Sequence, residues 1–230
     1  YNETFAIEPN SCGRFIAYPG DSVKVVSSQS VKTGAAIWIN GGEKRLFQGF
    51  IFDANDCRWF FLVKGIRKNI IWRKNEMRNA FDTVGQNPAF VFFWNENVPY
   101  TNMVIQDNVF HDLRDPKVYH GASVTSYQMT NSLYEDNHAY DIDGRGFQEK
   151  VGGRRNTIRN NVFHDIYSHS AIYLNSNPSS DSTEICFNHI YNCKNGGITI
   201  GANGTYVANI FVHHNTCIGS VNFGGPIRNV

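Results

Sequence analysis

The block NVFHD is written twice, at 108–112 and again at 161–165, 53 positions apart. A repeat of fixed period decides an architecture before any single element does. With the Asn of this block as anchor, equivalent positions are Gly49, Asn75, Asn108, Asn137, Asn161, Asn188 and Asn215, separated by 26, 33, 29, 24, 27 and 27 residues. Three residues before each anchor stand Leu46, Trp72, Ile105, Tyr134, Ile158, Ile185 and Val212, an apolar or aromatic column. Two residues after come Ile51, Met77, Phe110, Ala139, Phe163, Ile190 and Cys217. Four after, at Asp53, Asn79, Asp112, Asp141, Asp165, Asn192 and Gly219, every residue is a turn former. Apolar residues recur at spacing two, not at the three and four of a helix, so helical repeats fit poorly and short strands fit well. Such a period describes one coil of a parallel β-solenoid. Asn suits the bend because it tolerates a left-handed backbone and its amide can bond to the Asn stacked above it. Gly49 meets the same backbone demand without a side chain.

Each bend is followed by a further strand: FFLVK (60–64), FVFFW (90–94), GFQEK (146–150), AIYLN (171–175), GITIG (197–201) and GPIRN (225–229). The chain therefore reads as all-β, a solenoid of about seven three-strand coils with an Asn ladder, in one domain over 1–230. This pattern resembles the right-handed parallel β-helix of the pectate-lyase-like, PbH1-repeat superfamily, from about residue 14 to the end. The opening, with AYPGD at 17–21, is similar to the first coil of many secreted β-helix proteins. The resemblance is specific for fold and weak for reaction, because the same coil serves lyases, glycosidases, epimerases, phage spikes and adhesins. Both ends read as cut through a strand without a polar cap, so the expectation is a segment of a longer β-helix, or end-to-end contact with further coils or a partner chain.

With 21 basic against 20 acidic residues, nothing in the overall charge calls for nucleic acid or an anionic membrane as partner. No run approaches the roughly 18 apolar residues of a membrane span, and the first residues lack the zones of a signal peptide. Cys12, Cys57, Cys186, Cys193 and Cys217 form no zinc pattern. Cys193 and Cys217 fall in apolar columns at different registers and are expected as unbridged core thiols.

Chemistry is sought where the resemblance puts a substrate groove, on the outward face of the GFQEK, AIYLN and GITIG strands. Alternation turns Phe147, Ile172, Leu174, Ile198 and Ile200 inward. Gln148, Lys150, Tyr173, Asn175 and Thr199 turn outward. Lys150 is the foremost candidate. It shares a register with Lys64, eleven residues before an anchor, and a basic turn, KVGGRR, begins at it. In lyases and epimerases of this fold a Lys or Arg on this face removes the proton α to a uronic carboxylate, and a neighbouring arginine or cation can bring a lysine pKa into the working range. Lys150, with Glu149 and Arg145, is thus the candidate catalytic set. Gln148, Tyr173, Asn175, Thr199, Lys64 and His120 are the candidate substrate contacts, and His120 or His169 is an alternative acid for the leaving group. Glu149 points inward by alternation, so a partner or a bulge is expected for it. Asp141 and Asp143 offer hard oxygen ligands, so calcium is the one cofactor considered, against the simpler reading of solvated turn residues. His111, His164 and His189 read as surface or ladder residues.

The resulting expectation is an extracellular or cell-surface protein that cleaves a uronate-containing polysaccharide by β-elimination. Two alternatives stand beside it: a glycoside hydrolase using Asp141 or Asp143 with Glu149, and a non-catalytic rod of a surface or phage-type assembly. NET at Asn2 and NGT at Asn203 match glycosylation acceptors and would favour the rod if occupied. The Arg-His-Gly segment of alginate and chondroitin lyases is missing, since that register reads YLNSN (173–177).

Overall fold

A computed structural model describes residues 6–7, 13–27, 34–65, 67–82, 87–94, 98–117, 120–175, 181–201, 207–224 and 227–228. Asn2, Cys12 and Asn203 lie outside them. All paired strands run parallel in three long sheets. Sheet 1 stacks Ala6–Ile7, Ala35–Asn40, Trp59–Lys64, Ala89–Phe93, Ala122–Ser126, Arg145–Glu149, Ile172–Asn175, Ile198–Gly201 and Val221–Gly224. Sheet 2 carries the strands just before the Asn bend, among them Val104–Gln106, Leu133–Glu135, Thr157–Arg159, Glu184–Cys186 and Phe211–His213. Sheet 3 carries those just after it, from Val23–Val26 to Thr216–Cys217. The last strand of sheet 1 is Val221–Gly224, not the GPIRN segment; within that segment Ile227–Arg228 instead pairs with Val207–Ala208.

The ladder is continuous. Each Asn Oδ1 accepts from the backbone N–H and the side-chain Nδ2 of the Asn before it, at 2.9–3.1 Å, through Asn75, Asn108, Asn137, Asn161, Asn188 and Asn215. Each remaining donor goes to a carbonyl of sheet 2, as from Asn137 to Ile105 at 2.8 Å. The left-handed residue, however, is not the ladder Asn. It is the residue before it: Lys74, Asp107, Asp136, Asn160, Phe187 and His214 all have φ between 53° and 56°. The Asn is selected for its buried amide, and the residue before it bends the chain. The turn column four after the anchor is left-handed as well, at Asn79, Asp112, Asp141, Asp165 and Asn192.

This corrects one coil of the sequence alignment. Gly49 (φ 81°) is the bend residue before the anchor, and Phe50, whose N–H donates to Asn75 Oδ1 at 3.1 Å, holds the anchor position. Phe47 therefore pairs with Trp72, and Phe52 with Met77, all four being buried. A one-residue slip exchanges the two faces of a strand, so Phe47 and Phe52, not Leu46 and Ile51, belong to the two core columns.

The interior is a column of apolar rungs, each nearly sealed, with rings of Phe47, Phe61, Trp72, Phe93 and Tyr100 in mutual contact. At about 25 cal/mol per Å² this burial is the main stabilising term. Cys193 and Cys217 pack against it as free thiols, Cys193 being pushed up to about 12 by burial.

Candidate functional site

Sheet 1 breaks simple alternation at its entrance. Two successive residues face the core in each coil, as in Phe60 with Phe61 and Phe90 with Val91. A Cβ on Gly146 would meet the Phe163 ring at 2.1 Å, so Gly146 and Phe147 are the equivalent pair. This places Arg145 on the same outward side as Gln148 and Lys150, although it is two residues from the inward Phe147. Its Nη1 donates to Gln148 Oε1 at 3.4 Å, and its guanidinium covers the Tyr173 ring at 4.4 Å.

Two loops that enter sheet 1 close over these residues. Lys150 Nζ donates to Asn87 Oδ1 at 2.7 Å and lies 5.8 Å from the Tyr127 ring. Arg145 Nη1 donates to His120 Nδ1 at 3.2 Å, which leaves the His120 proton on Nε2. The backbone N–H groups of His120 and Gly121 are held by the buried carboxylate of Asp115. His169 stands 6.1 Å from His120. Burial, then the charge of Arg145, lowers Lys150 from the ordinary lysine range to about 7. Burial lowers Arg145 to about 10. His120 falls to about 4, through burial and then the charges of Lys150 and Arg145. Among the described residues neither Lys150 nor Arg145 is in a salt bridge. Three polar atoms of this face, Arg145 Nε, Thr125 Oγ1 and Asn175 Oδ1, are buried without a hydrogen-bond partner among the described residues.

The site candidates thus divide. Lys150, Arg145, Gln148, Tyr173 and His120 form one cluster. Asn175 follows Lys150 in its column and Thr199 follows Tyr173 in the next, both along the same face. Lys64 is in the Lys150 column, further up the solenoid, its ammonium held 4.9 Å from the Trp38 ring and 4.6 Å from that of Trp94. There the face is aromatic: Trp59, Phe92, Trp94 and Tyr127 are in ring contact. Sequence reasoning missed Asn87, Tyr127, Thr125 and Trp94, although the alternation of Ala122–Ser126 and Ala89–Phe93 carried the signal for the last three.

The remaining candidates go elsewhere. Glu149 lies inside the solenoid, fully buried, accepting from Asn156 Nδ2 at 2.8 Å beneath Gly153, where a Cβ would strike its carboxylate. It faces away from Lys150. Asp141 lies within the sheet 3 strand His138–Ile142, in an ion pair with Arg114 at 2.7 Å that holds it below its usual range. Calcium at Asp141 and Asp143 would have to displace that guanidinium, so the donor set fits the ion poorly. The carboxylates of Asp141 and Glu149 face different compartments and do not form an acid and base pair.

On sheet 3, His111, Tyr140, His164 and Tyr191 stack with ring centroids 4.9–5.2 Å apart and planes within 9°. Asp112 and Asp165 bond His111 Nδ1 and His164 Nδ1 at 2.7 Å, and His138 Nε2 lies 2.8 Å from His164 Nε2. His111 and His164 are stacked in this ladder and His189 is an exposed residue of the same sheet, while His138 was not singled out from the sequence.

Among the described residues no helix is long and apolar enough to cross a membrane. No curated protein and no solved structure matches the chain. The model of a right handed beta helix region matches residues 10–217, and with its parallel three-sheet coil and unbroken Asn ladder the chain belongs to that right-handed β-helix family.

Proposed function

We propose that this protein binds an extracellular acidic polysaccharide along the outer face of sheet 1 and cleaves it by β-elimination, with Lys150 as base. The observation that carries the reading is the pair of sheltered cations. A lysine lowered to about 7 is substantially neutral at neutral pH, which a general base requires. Arg145, still charged there, sits beside it without a carboxylate partner among the described residues and suits a uronate carboxylate.

In the proposed reaction Lys150 Nζ takes the proton from the carbon α to the carboxylate, and that electron pair forms the double bond as the glycosidic C–O bond breaks. Arg145 neutralises the carboxylate and so stabilises the carbanionic charge. The leaving oxygen takes a proton from the Tyr173 hydroxyl, whose phenolate would lie under the Arg145 guanidinium. The Lys150 ammonium then returns its proton to Tyr173 through water. His120 is neutral near pH 7 and would have to become an anion to act as acid, so its role is to orient Arg145. Asn175 and Thr199 offer hydrogen bonds to sugar hydroxyls further along, and the exposed Trp38 and Trp94 offer stacking surfaces.

A panel of pectins, alginates and glycosaminoglycans tests this through the ultraviolet absorbance of the unsaturated product. Activity rising with pH through about 7 is expected. Saturated ends only would point to hydrolysis, and no cleavage of any of these polymers would contradict the lyase reading.

A further inference from the structure

Separate from the outer face of sheet 1, sheet 2 brings a thiol, an imidazole and a carboxylate to one point. Glu184 and Cys186 are two apart on one strand and so share its outward face, and His213 is the direct partner of Cys186 on the next strand. The donor atoms of all three lie within 4.8 Å of one another, and His213 Nε2 is 2.9 Å from Glu184 Oε1. Among the described residues this is the one group of three such side chains that converges in this way.

From this convergence we infer that Glu184, Cys186 and His213 form a binding site for a zinc-class divalent cation on the outer face of sheet 2. The donor set selects the metal: sulfur and imidazole nitrogen favour a borderline-soft ion such as Zn²⁺ over calcium or magnesium. Bond lengths of about 2.0–2.3 Å at a tetrahedral ion put donors roughly 3.4–3.7 Å apart, so side-chain rotations of about half an ångström to one ångström suffice. Cys186 is nearly buried while Glu184 and His213 are partly exposed. Three protein ligands with the fourth position toward solvent result.

The surroundings fit that use. His213 Nδ1 lies 2.8 Å from His214 Nδ1, and His214 is fixed by stacking on Phe187 at 5.0 Å. With a metal on Nε2, the His213 Nδ1–H donates to His214, the kind of outer contact that fixes a ligand imidazole. Without a metal the proton sits on Nε2 and donates to Glu184, and His214 donates to Nδ1. Binding therefore moves the His213 proton from Nε2 to Nδ1, shifts the His214 proton from Nδ1 to its Nε2 so that Nδ1 can accept, and releases the thiol proton to solvent. Arg159, the neighbour of Cys186 on the other side, is tied to Glu135.

Titration of the intact chain with Co²⁺, followed by competition with Zn²⁺, tests the site directly. One equivalent should give the near-ultraviolet thiolate charge-transfer band and visible bands of a tetrahedral ion, and Zn²⁺ should displace both. Cys186→Ser should remove the thiolate band, and His213→Gln should weaken binding by about tenfold or more. Cys193→Ser should change neither, and circular dichroism verifies that each variant is folded. A thiolate band that survives Cys186→Ser in folded protein, or no tetrahedral spectrum at one equivalent, would overturn the assignment. Neither readout depends on polysaccharide cleavage.

Discussion

The outer faces of sheets 1 and 3 are built from the same coils and both carry columns of polar rings, yet their electrostatics are opposite. On sheet 3 the carboxylates and cations are largely paired among the described residues: Asp112 and Asp165 bond His111 and His164, Asp53 takes Lys24, and Arg114 takes Asp141. On sheet 1 two cations, Arg145 and Lys150, sit side by side, and three buried polar atoms wait for partners among the described residues. The strands of sheet 3 carry far more titratable residues than those of sheet 1, so their number does not mark a site. Unanswered charge in a sheltered place does, because it costs stability and a ligand of opposite charge recovers that cost.

The comparison breaks most sharply at Lys150. Lys150→Ala should lower cleavage by roughly 10³-fold, within the range typical of a lost general base, and should leave melting unchanged or raised, since the cost of sheltering and neutralising a buried amine is removed. Loss of folding together with activity would make Lys150 structural. Asn137→Ala should instead lower both faces together. It orphans Ile105 O and the Asn108 donors, a cost of roughly 3 kcal/mol that denaturant unfolding would report.

Tyr140→Ala should act on sheet 3 alone. It removes two stacked contacts, to His111 and His164, at about 1–2 kcal/mol, while cleavage stays at the wild-type level. A loss of activity matching that of Lys150→Ala would show that the faces had been assigned the wrong way round. The smallest effect is on pH dependence. His138 is depressed by burial and by the neighbouring His164 and His111. For a base with a lowered folded pKa, the unfolded chain binds the proton first. Stability should therefore fall as pH drops below the ordinary histidine value of about 6.5. His138→Gln should reduce that slope in melting curves recorded between about pH 7 and 5, leaving the part that the lowered His120 supplies.

How much of this was legible follows from where the information sits. The ladder from Asn75 to Asn215 was readable because one buried amide is demanded at every turn, so the residue type repeats. The coil at Gly49 is misaligned in the sequence because it has Phe50 in place of the ladder Asn, and Gly49 one position earlier imitates an anchor. Lys150 was placed outward by alternation alone. Its shelter was not visible, because Asn87 and Tyr127 come from earlier coils and local sequence does not give their stacking. Arg145 was named beside Lys150, but its outward turn depends on the doubled inward residues Gly146 and Phe147. Glu149 was read correctly as facing the core, and its partner, Asn156, lies only seven residues on.

The central claim is that Lys150 titrates near pH 7 because of the face it occupies. Titration of the lysine side chains by heteronuclear NMR measures this directly. One lysine should titrate near 7, absent from Lys150→Met, and shift upward when a polyuronate is added. If every lysine titrates near the ordinary value of about 10.4, the sheltered base does not exist and the account of sheet 1 is wrong.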